Sequence, residues 1–209
     1  MNNVFFRPWV GNRYGKVDSV FSKKILILGD SHYTDESEVT ELLANKQQSS
    51  DFTTGVMNDY LSEDVKGNWK STFTKFMNSF VQGTSHEEFS REELWGSVAF
   101  YNYLQIPAGT KPRLTQHYDY TKETDRKAFL EVIGELEPDV IISWGNKAWD
   151  AMPEDFGFGN YVANKKFSDF YHTYPFKENR LKVLGINHPS SAYKSSYWSG
   201  VFTETQINA

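Results

Sequence analysis

Four short apolar runs divide the chain and predict the strands of a sheet, at residues 25–28, 97–104, 140–142 and 181–186. The first of them, Ile-Leu-Ile-Leu, has no polar alternation. A continuous run of this kind is typical of a strand that is buried on both faces, as in a parallel sheet covered by helices. Gly29 ends this first run, and we expect the backbone to turn sharply there.

Apolar residues at helical spacing lie between these runs. Phe129, Val132, Ile133 and Leu136 recur at i, i+3, i+4 and i+7, which predicts a helix that ends before Pro138. Caps predict two further helices, one after Thr34 or Asp35 and one after the capping box of Ser90 and Glu93. An apolar stripe predicts another, along Trp69, Phe73, Phe76, Met77 and Phe80. The last two are predicted between Asn146 and Pro153 and from about Tyr193.

Two stretches carry no such pattern. Residues 45–67 are polar and predict a mobile loop, and residues 154–180 are rich in Gly and aromatic residues and permit a hairpin or a surface excursion. Strands that alternate with helices nevertheless predict an α/β fold, a three-layer α/β/α sandwich with a mainly parallel four-stranded sheet. At 209 residues the chain is expected to form a single domain, 1–209.

Polar side chains follow three of the predicted strands. Asp30, with the next three residues Ser-His-Tyr, follows the first strand, Asn102 lies near the end of the second, and His188 to Ser191 follow the last. In open α/β sheets ligands bind at the carboxyl ends of the strands, so these groups predict a site there. The alternative interpretation is that they only cap turns and helices.

The composition of the chain excludes several kinds of chemistry. The chain has no cysteine, which excludes disulfides, thiolate metal sites, cysteine nucleophiles and cysteine-held iron–sulfur clusters. Its five histidines are widely spaced and show no paired metal-ligand pattern. No apolar run approaches the ~20 residues that cross a bilayer, so we expect a cytoplasmic protein without a membrane partner.

Charge is unevenly distributed. The net charge is −5, but residues 160–200 carry six cations and two anions, a net +4 that leaves −9 for the remainder. A basic face on an acidic protein is able to bind a polyanion. A solvated loop with several lysines explains the same pattern.

At this point the sequence resembles the uracil-DNA glycosylase superfamily over nearly its whole length, from Lys23 to Trp198. The resemblance is carried by GDSHY (29–33), AFYNYLQ (99–105), PDVIISWGNKAW (138–149) and NHPSS (187–191). Members of this superfamily flip a nucleotide out of DNA and hydrolyse its N-glycosidic bond. The resemblance implies a DNA partner, no cofactor and a monomer.

The resemblance also implies roles for individual residues. Asp30 would stabilise the positively charged sugar and orient water, and His188 would donate to the carbonyl oxygen of the departing base. Asn102 would pair with the edge of the base, and Tyr33 would form a wall near it. The further expected contacts are to the substrate from Ser31, His32 and Trp69, and to DNA from Ser190, Ser191, Tyr193 and Lys194.

Two departures from the superfamily pattern affect the substrate. The best-known branch has its water-orienting Asp two positions after the motif glycine, where this chain has Ser31, and the acid here lies one position earlier at Asp30. The missing cysteines exclude the iron–sulfur branch. The expected substrate is uracil or another modified pyrimidine, including a modified phage base.

Two rival functions fit parts of the sequence. ILGDS (27–31) is similar to the nucleophile block of GDS-type serine hydrolases, and Asp169 and His172 would complete a triad for Ser31. This hypothesis leaves NHPSS unexplained. The other rival is a domain of the same fold that binds DNA without catalysis.

Overall fold

The computed structural model describes residues 1–45, 50–107, 118–152, 160–163, 170–176 and 179–207. Its strands are β1 (Trp9–Val10), β2 (Ile25–Gly29), β3 (Val98–Asn102), β4 (Val140–Trp144), β5 (Asn160–Ala163), β6 (Phe170–Phe176) and β7 (Asn179–Ile186). Its helices are α1 (Glu36–Ala44), α2 (Phe52–Leu61), α3 (Lys70–Val81), α4 (Arg91–Gly96), α5 (Glu123–Leu136), α6 (Asn146–Ala151) and α7 (Ser195–Thr205), with a 3-10 helix at Ser85–Glu88.

The centre of the sheet is a parallel core in the order β3, β2, β4, β7. This confirms the four predicted strands and their common direction. The predicted strand count of four is wrong for the whole sheet, because β1 adds an antiparallel strand beside β3 and β6 and β5 extend the other edge. The antiparallel pair of β5 and β6 is the hairpin that the sequence permits within residues 154–180, whereas β1, with two residues, is not predicted.

Helices cover both faces of this sheet. Ile25 and Ile27 of β2 face a core shared with α3 and α7, whereas Leu26 and Leu28 face a second core shared with α5 and α6. All four side chains are fully buried, as the unbroken apolar run requires. The arrangement is the three-layer α/β/α architecture that the sequence predicts. Across the described ranges, the helices are all too short or too polar to cross a membrane.

Several predicted helix boundaries are confirmed. At the start of α4, the Glu93 N–H donates to Ser90 Oγ (3.2 Å) and the Ser90 N–H donates to Glu93 Oε2 (3.0 Å), which completes the capping box. Helix α5 ends at Leu136, two residues before Pro138. Helix α6 begins directly after Gly145, whose φ of 93° lies in the region that favours glycine.

Helix α2 falls within the stretch that the sequence predicts to be a loop, so that prediction is wrong for residues 52–61. The helix buries Thr53, Met57 and Tyr60, which follow each other at i, i+4 and i+7. This stripe is hard to recognise because one member is a threonine and the helix contains Gly55, a poor helix former. Tertiary contacts with the stripe stabilise the helix where local propensity is weak.

Candidate functional site

The predicted site segments leave the sheet at one edge. Gly29 of β2 lies beside Asn102 of β3, and the registers of β4 and β7 place Ile186 at the same level two strands away. Asp30 directly follows Gly29, and His188 follows Ile186 by two residues. The fold therefore brings the acid, the amide and the imidazole to the carboxyl edge of the sheet, although they come from three distant segments.

This edge contains a topological switch point. β3 lies on one side of β2, whereas β4 and β7 lie on the other, so the order of the sheet reverses at β2. In open α/β sheets, ligands bind in the crevice at such a point. Asp30 and Gly145 follow the two strands that border the crevice. Because only β4 separates β2 from β7, the backbones that lead to Asp30 and His188 are about 10 Å apart.

Polar atoms at the end of β2 have unused hydrogen-bonding capacity. Asp30 is half-buried, and its buried Oδ1 atom has no hydrogen-bond partner among the described residues. Ser31 is 8% exposed, and its Oγ atom likewise has none. Buried polar atoms in native proteins are normally paired with protein, water or ligand, so these two atoms are available to a water molecule or a ligand.

Asn102 lies buried against the turn that follows β2. A Cβ atom placed on Gly29 would lie 2.1 Å from Asn102 Oδ1 and 3.0 Å from a ring carbon of Phe100. Only glycine leaves room for this approach, since real Cβ atoms essentially never come so near. The glycine of the GDSHY segment thus determines where the Asn102 amide lies.

His32 supports Asn102 from inside the protein, which corrects its predicted role as a substrate contact. Its ring Nδ1 lies 3.0 Å from Asn102 Nδ2, and its Nε2 lies 2.9 Å from Thr53 Oγ1 of α2. The imidazole is 4% exposed and lies between the ring edges of Phe6 and Phe52. Desolvation by burial lowers the pKa of His32 from 6.5 to about 3, so the ring is neutral.

Gln105 is a further support that the sequence analysis missed. Its Oε1 accepts hydrogen bonds from the N–H groups of Phe5 (2.8 Å) and Phe6 (3.0 Å), and its Nε2 donates to the Asn102 carbonyl (3.1 Å). Its own N–H donates to Asp125 Oδ1 of α5 (3.1 Å). The glutamine of AFYNYLQ thereby joins the N-terminal segment, β3 and α5 behind the site.

His188 has a defined hydrogen-bonding arrangement at the end of β7. The Ser190 N–H, which can only donate, points at His188 Nδ1 (3.2 Å), and Ser190 Oγ lies 2.8 Å from the same nitrogen. A neutral imidazole that accepts at Nδ1 carries its hydrogen on Nε2. The ring also meets the Trp144 ring edge-to-face, with centroids 5.9 Å apart. His188 is thus oriented as an Nε2–H donor.

The two serines of the NHPSS segment bond within their own loop and are exposed at the surface, so their contacts to DNA phosphates stay a prediction. Ser190 directs both its N–H and its hydroxyl to His188. Ser191 donates its N–H (2.8 Å) and its hydroxyl (2.7 Å) to the His188 carbonyl. These bonds stabilise the loop around His188, and both serines remain exposed.

Tyr193 packs into the protein, whereas Lys194 faces solvent. The Tyr193 hydroxyl is hydrogen-bonded to Ser79 Oγ of α3, and its ring stacks on Trp198 at 6.2 Å. Desolvation raises the pKa of Tyr193 above its usual range. A stacking role in DNA would require this tyrosine to leave its contacts. Lys194 is exposed immediately before α7, where it is accessible to a phosphate.

Two aromatic residues remain accessible near the same edge. Trp69 is 39% exposed and meets Phe73 edge-to-face at 5.8 Å; Phe73 in turn contacts Trp144, the last residue of β4, at 5.4 Å. Tyr33 is half-buried. These positions are compatible with the substrate contacts that the sequence analysis predicts for both residues.

A surface cleft of about 530 Å³ opens elsewhere, between α3, α4 and the start of α7. Its lining includes Tyr60, Met77, Phe89 and Arg91, and none of its lining residues is a predicted site residue. The cleft nevertheless adjoins two of them, because its lining residue Ser79 is hydrogen-bonded to Tyr193 and Ser195 directly follows Lys194.

No protein-family model matches this chain. No curated protein matches it significantly either. In the part of the chain that the structure describes, His, Asp and Glu side chains form no group that could hold a metal ion.

The sheet register separates the two residues that the serine hydrolase hypothesis would pair, Ser31 and His172. His172 of β6 pairs with Val183, and the registers of β7 and β4 place it level with Leu26 of β2. The backbone of His172 is thus three strands away from β2, a distance of about 14 Å across the sheet. Along the strand direction it lies three residues before the level of Gly29, a further distance of about 10 Å. Ser31 lies beyond Gly29, so the backbones of Ser31 and His172 are more than about 14 Å apart. The predicted partner Asp169 lies outside the described residues.

Proposed function

We propose that the protein is a DNA glycosylase that hydrolyses the N-glycosidic bond of uracil or another modified pyrimidine in a flipped-out nucleotide. The observation that supports this proposal is that the strands leading to Asp30, Asn102 and His188 end at the same edge of the sheet, around the switch point. These groups match three requirements of the reaction. The sugar needs a negative charge near it, the departing base needs a hydrogen-bond donor, and the edge of the base needs a group that recognises it.

Asp30 supplies the charge. As the glycosidic bond breaks, the sugar gains positive charge, and a carboxylate held near it lowers the energy of that state. The unpaired Oδ1 atom of Asp30 is able to accept a hydrogen bond from the attacking water. The neighbouring Ser31 hydroxyl, which is also unpaired among the described residues, offers a second contact for that water.

His188 supplies the donor. The departing base gains negative charge on a carbonyl oxygen, and an N–H aimed at that atom stabilises it. Because Ser190 holds Nδ1 as an acceptor, Nε2 carries the hydrogen that the base requires. The neutral imidazole therefore acts as a hydrogen-bond donor, without transfer of its proton.

Asn102 recognises the edge of the base. An amide offers one donor and one acceptor side by side, which pairs with the edge of a pyrimidine. Trp69 and Tyr33 provide flat surfaces for the extruded base, and Lys194 neutralises a phosphate beside it. The intracellular setting and monomeric state expected from the sequence belong to the same proposal.

The proposal is tested with oligonucleotides that contain uracil or modified pyrimidines, followed by alkali to cleave abasic sites. We expect wild type to cut at least one substrate, and Asp30→Asn and His188→Ala to lower the rate by about 100-fold or more. Asp64→Asn and His86→Ala, which change the same residue types away from the site, should retain full activity. Binding of every substrate without scission would support a non-catalytic DNA-binding domain and refute the proposal.

A further inference from the structure

Arg7, in the segment that leads into β1, lies at the carboxyl edge of the sheet. β1 runs antiparallel to β3, and Trp9 pairs with Phe100. Two residues earlier in the chain, the same register brings Arg7 level with Asn102, about 5 Å away across the sheet. Asn102 pairs in turn with the last residue of β2, so the backbone of Arg7 lies about 10 Å from the end of that strand.

The backbone around Arg7 is held by defined hydrogen bonds. The N–H groups of Phe5 (2.8 Å) and Phe6 (3.0 Å) both donate to Gln105 Oε1. The N–H of Arg7 donates to the Ser50 carbonyl (2.9 Å), and the Phe6 side chain beside it is fully buried. The fold therefore fixes the point at which the Arg7 side chain leaves the backbone.

The guanidinium group of Arg7 is available to a ligand. The side chain is exposed and forms no salt bridge with any residue that the structure describes, including Asp51, which directly follows its backbone partner Ser50. By contrast, Arg13 and Arg91 each lie 3.3 Å from a glutamate carboxylate. A guanidinium is always charged, and it binds phosphate through two parallel N–H···O bonds.

We propose that Arg7 binds a phosphate of the DNA strand that carries the extruded nucleotide, on the opposite side of that nucleotide from Lys194. This inference rests on the proposed function, because it names a further DNA contact of the same site. The two cations belong to segments on opposite sides of β2, since Arg7 precedes β1 and Lys194 follows β7. Asp30, at the end of β2, lies between these segments.

The charge of Asp30 is the reason that cations are needed on both sides. The carboxylate that stabilises the sugar also repels the phosphates on either side of that sugar. A cation beside each of them offsets this repulsion. The five strands from β1 to β7 span about 19 Å, and one strand of duplex DNA covers that length with about five or six phosphates. A single DNA strand is therefore long enough to contact both cations.

The first test measures DNA binding and requires no catalysis. The probe is a fluorescent duplex with one tetrahydrofuran abasic-site analogue, which a glycosylase cannot hydrolyse, and its affinity is followed by anisotropy at several salt concentrations. We expect Arg7→Ala to weaken binding about tenfold and to reduce the slope of log affinity against log salt by about 0.9. Arg7→Lys keeps the charge and should keep the slope, but it should bind more weakly than wild type because lysine lacks the two-pronged donor.

Lys16→Ala is the matched control. It removes one positive charge from the same segment, but Lys16 follows Arg13, whose N–H donates to the Gly96 carbonyl ahead of β3, at the opposite end of the sheet. We expect its salt slope to equal that of wild type. Arg7 makes no side-chain ion pair in the described part of the chain, so Arg7→Ala should unfold at the wild-type Tm. Equal slopes for wild type and Arg7→Ala would overturn the inference.

The second test locates the phosphate. The phosphates of the probe are replaced one at a time by neutral methylphosphonates, and each probe is bound to wild type, Arg7→Ala and Lys194→Ala. We expect one replacement that weakens wild type about tenfold and leaves Arg7→Ala unaffected, because the two changes remove the same contact. The replacement that is coupled to Lys194 should lie on the other side of the abasic site. Coupling of both cations to phosphates on one side would refute the proposed arrangement.

The two proposals fail in different ways. If the wild type excises no base but Arg7→Ala lowers the salt slope, the glycosylase assignment fails and the phosphate contact of Arg7 stands. If a base is excised but Arg7→Ala binds the probe like wild type, the glycosylase assignment stands and the role of Arg7 is refuted.

Discussion

The closest approach in the site is that of Asn102 to Gly29, and Gly29→Ala tests it directly. The added methyl group would lie 2.1 Å from Asn102 Oδ1 and 3.0 Å from the Phe100 ring, well inside the 3.4–4 Å of ordinary contact. Both neighbours are buried, so neither can swing into solvent. The Asn102 amide must therefore move and lose its hydrogen bond to His32.

The expected cost follows from two effects. Overpacking of a close-packed core by one methyl group costs about 1–3 kcal/mol, and a lost buried hydrogen bond costs about 1 kcal/mol more. We expect the free energy of unfolding to fall by about 2–4 kcal/mol. For a protein of this size that corresponds to a decrease in Tm of roughly 5–15 °C.

Denaturant unfolding of wild type and variant measures this change, and Gly134→Ala provides a matched control. Gly134 lies within α5, and a Cβ there meets nothing within 4 Å. In that helix, alanine should stabilise the protein by about 0.5–1 kcal/mol. The two substitutions are chemically identical, so opposite signs would isolate the effect of the close approach.

The excision assay adds a second readout for Gly29→Ala. Because the amide is displaced, we expect loss of base excision even where the protein remains folded. A Gly29→Ala variant as stable as wild type would refute the close approach at Gly29. A destabilised variant with full activity would refute the role of Asn102 in reading the base.

Three further predictions concern pH, the His188 loop and DNA. Burial lowers the pKa of His32 to about 3, so below pH 6.5 the unfolded chain binds a proton at this residue and the folded chain does not. As the pH is lowered from 6.5 to about 3, the unfolding free energy of wild type should therefore fall more steeply than that of His32→Phe, by about 1.4 kcal/mol per pH unit. Ser190→Ala removes a hydroxyl from His188 Nδ1 and should slow excision about fivefold. Lys194→Ala should reduce the slope of log affinity against log salt by about 0.9, whereas Lys66→Ala should leave it unchanged.

Each of these three predictions has an outcome that would contradict it. Equal slopes of stability against pH in wild type and His32→Phe would mean that the imidazole is not buried as described. Unchanged excision kinetics in Ser190→Ala would mean that the backbone N–H alone orients His188. An unchanged salt slope in Lys194→Ala would remove that lysine from the DNA interface.

Local pattern accounts for most of the framework. The run at 25–28 is buried on both faces, which its composition alone indicates, and the stripe of α3 and the capping box of α4 depend on residues three or four apart. Where the local signal is weak, prediction fails. Helix α2 has a stripe interrupted by polar residues, and β1 is a strand because an existing sheet edge offers it a partner. The hairpin of β5 and β6 is only one of two alternatives that the sequence allows for residues 154–180.

The candidate site was likewise predictable in part from the sequence. The sequence by itself determined that Asp30, Asn102 and His188 follow apolar strands, and hence that they lie at the carboxyl edge of an α/β sheet. Only the tertiary structure decided which polar side chains bond to other protein groups, as those of His32 and Ser190 do. The reason is physical: the bonds of His32 join residues 21 and 70 positions apart, and no local pattern records a partner at that distance.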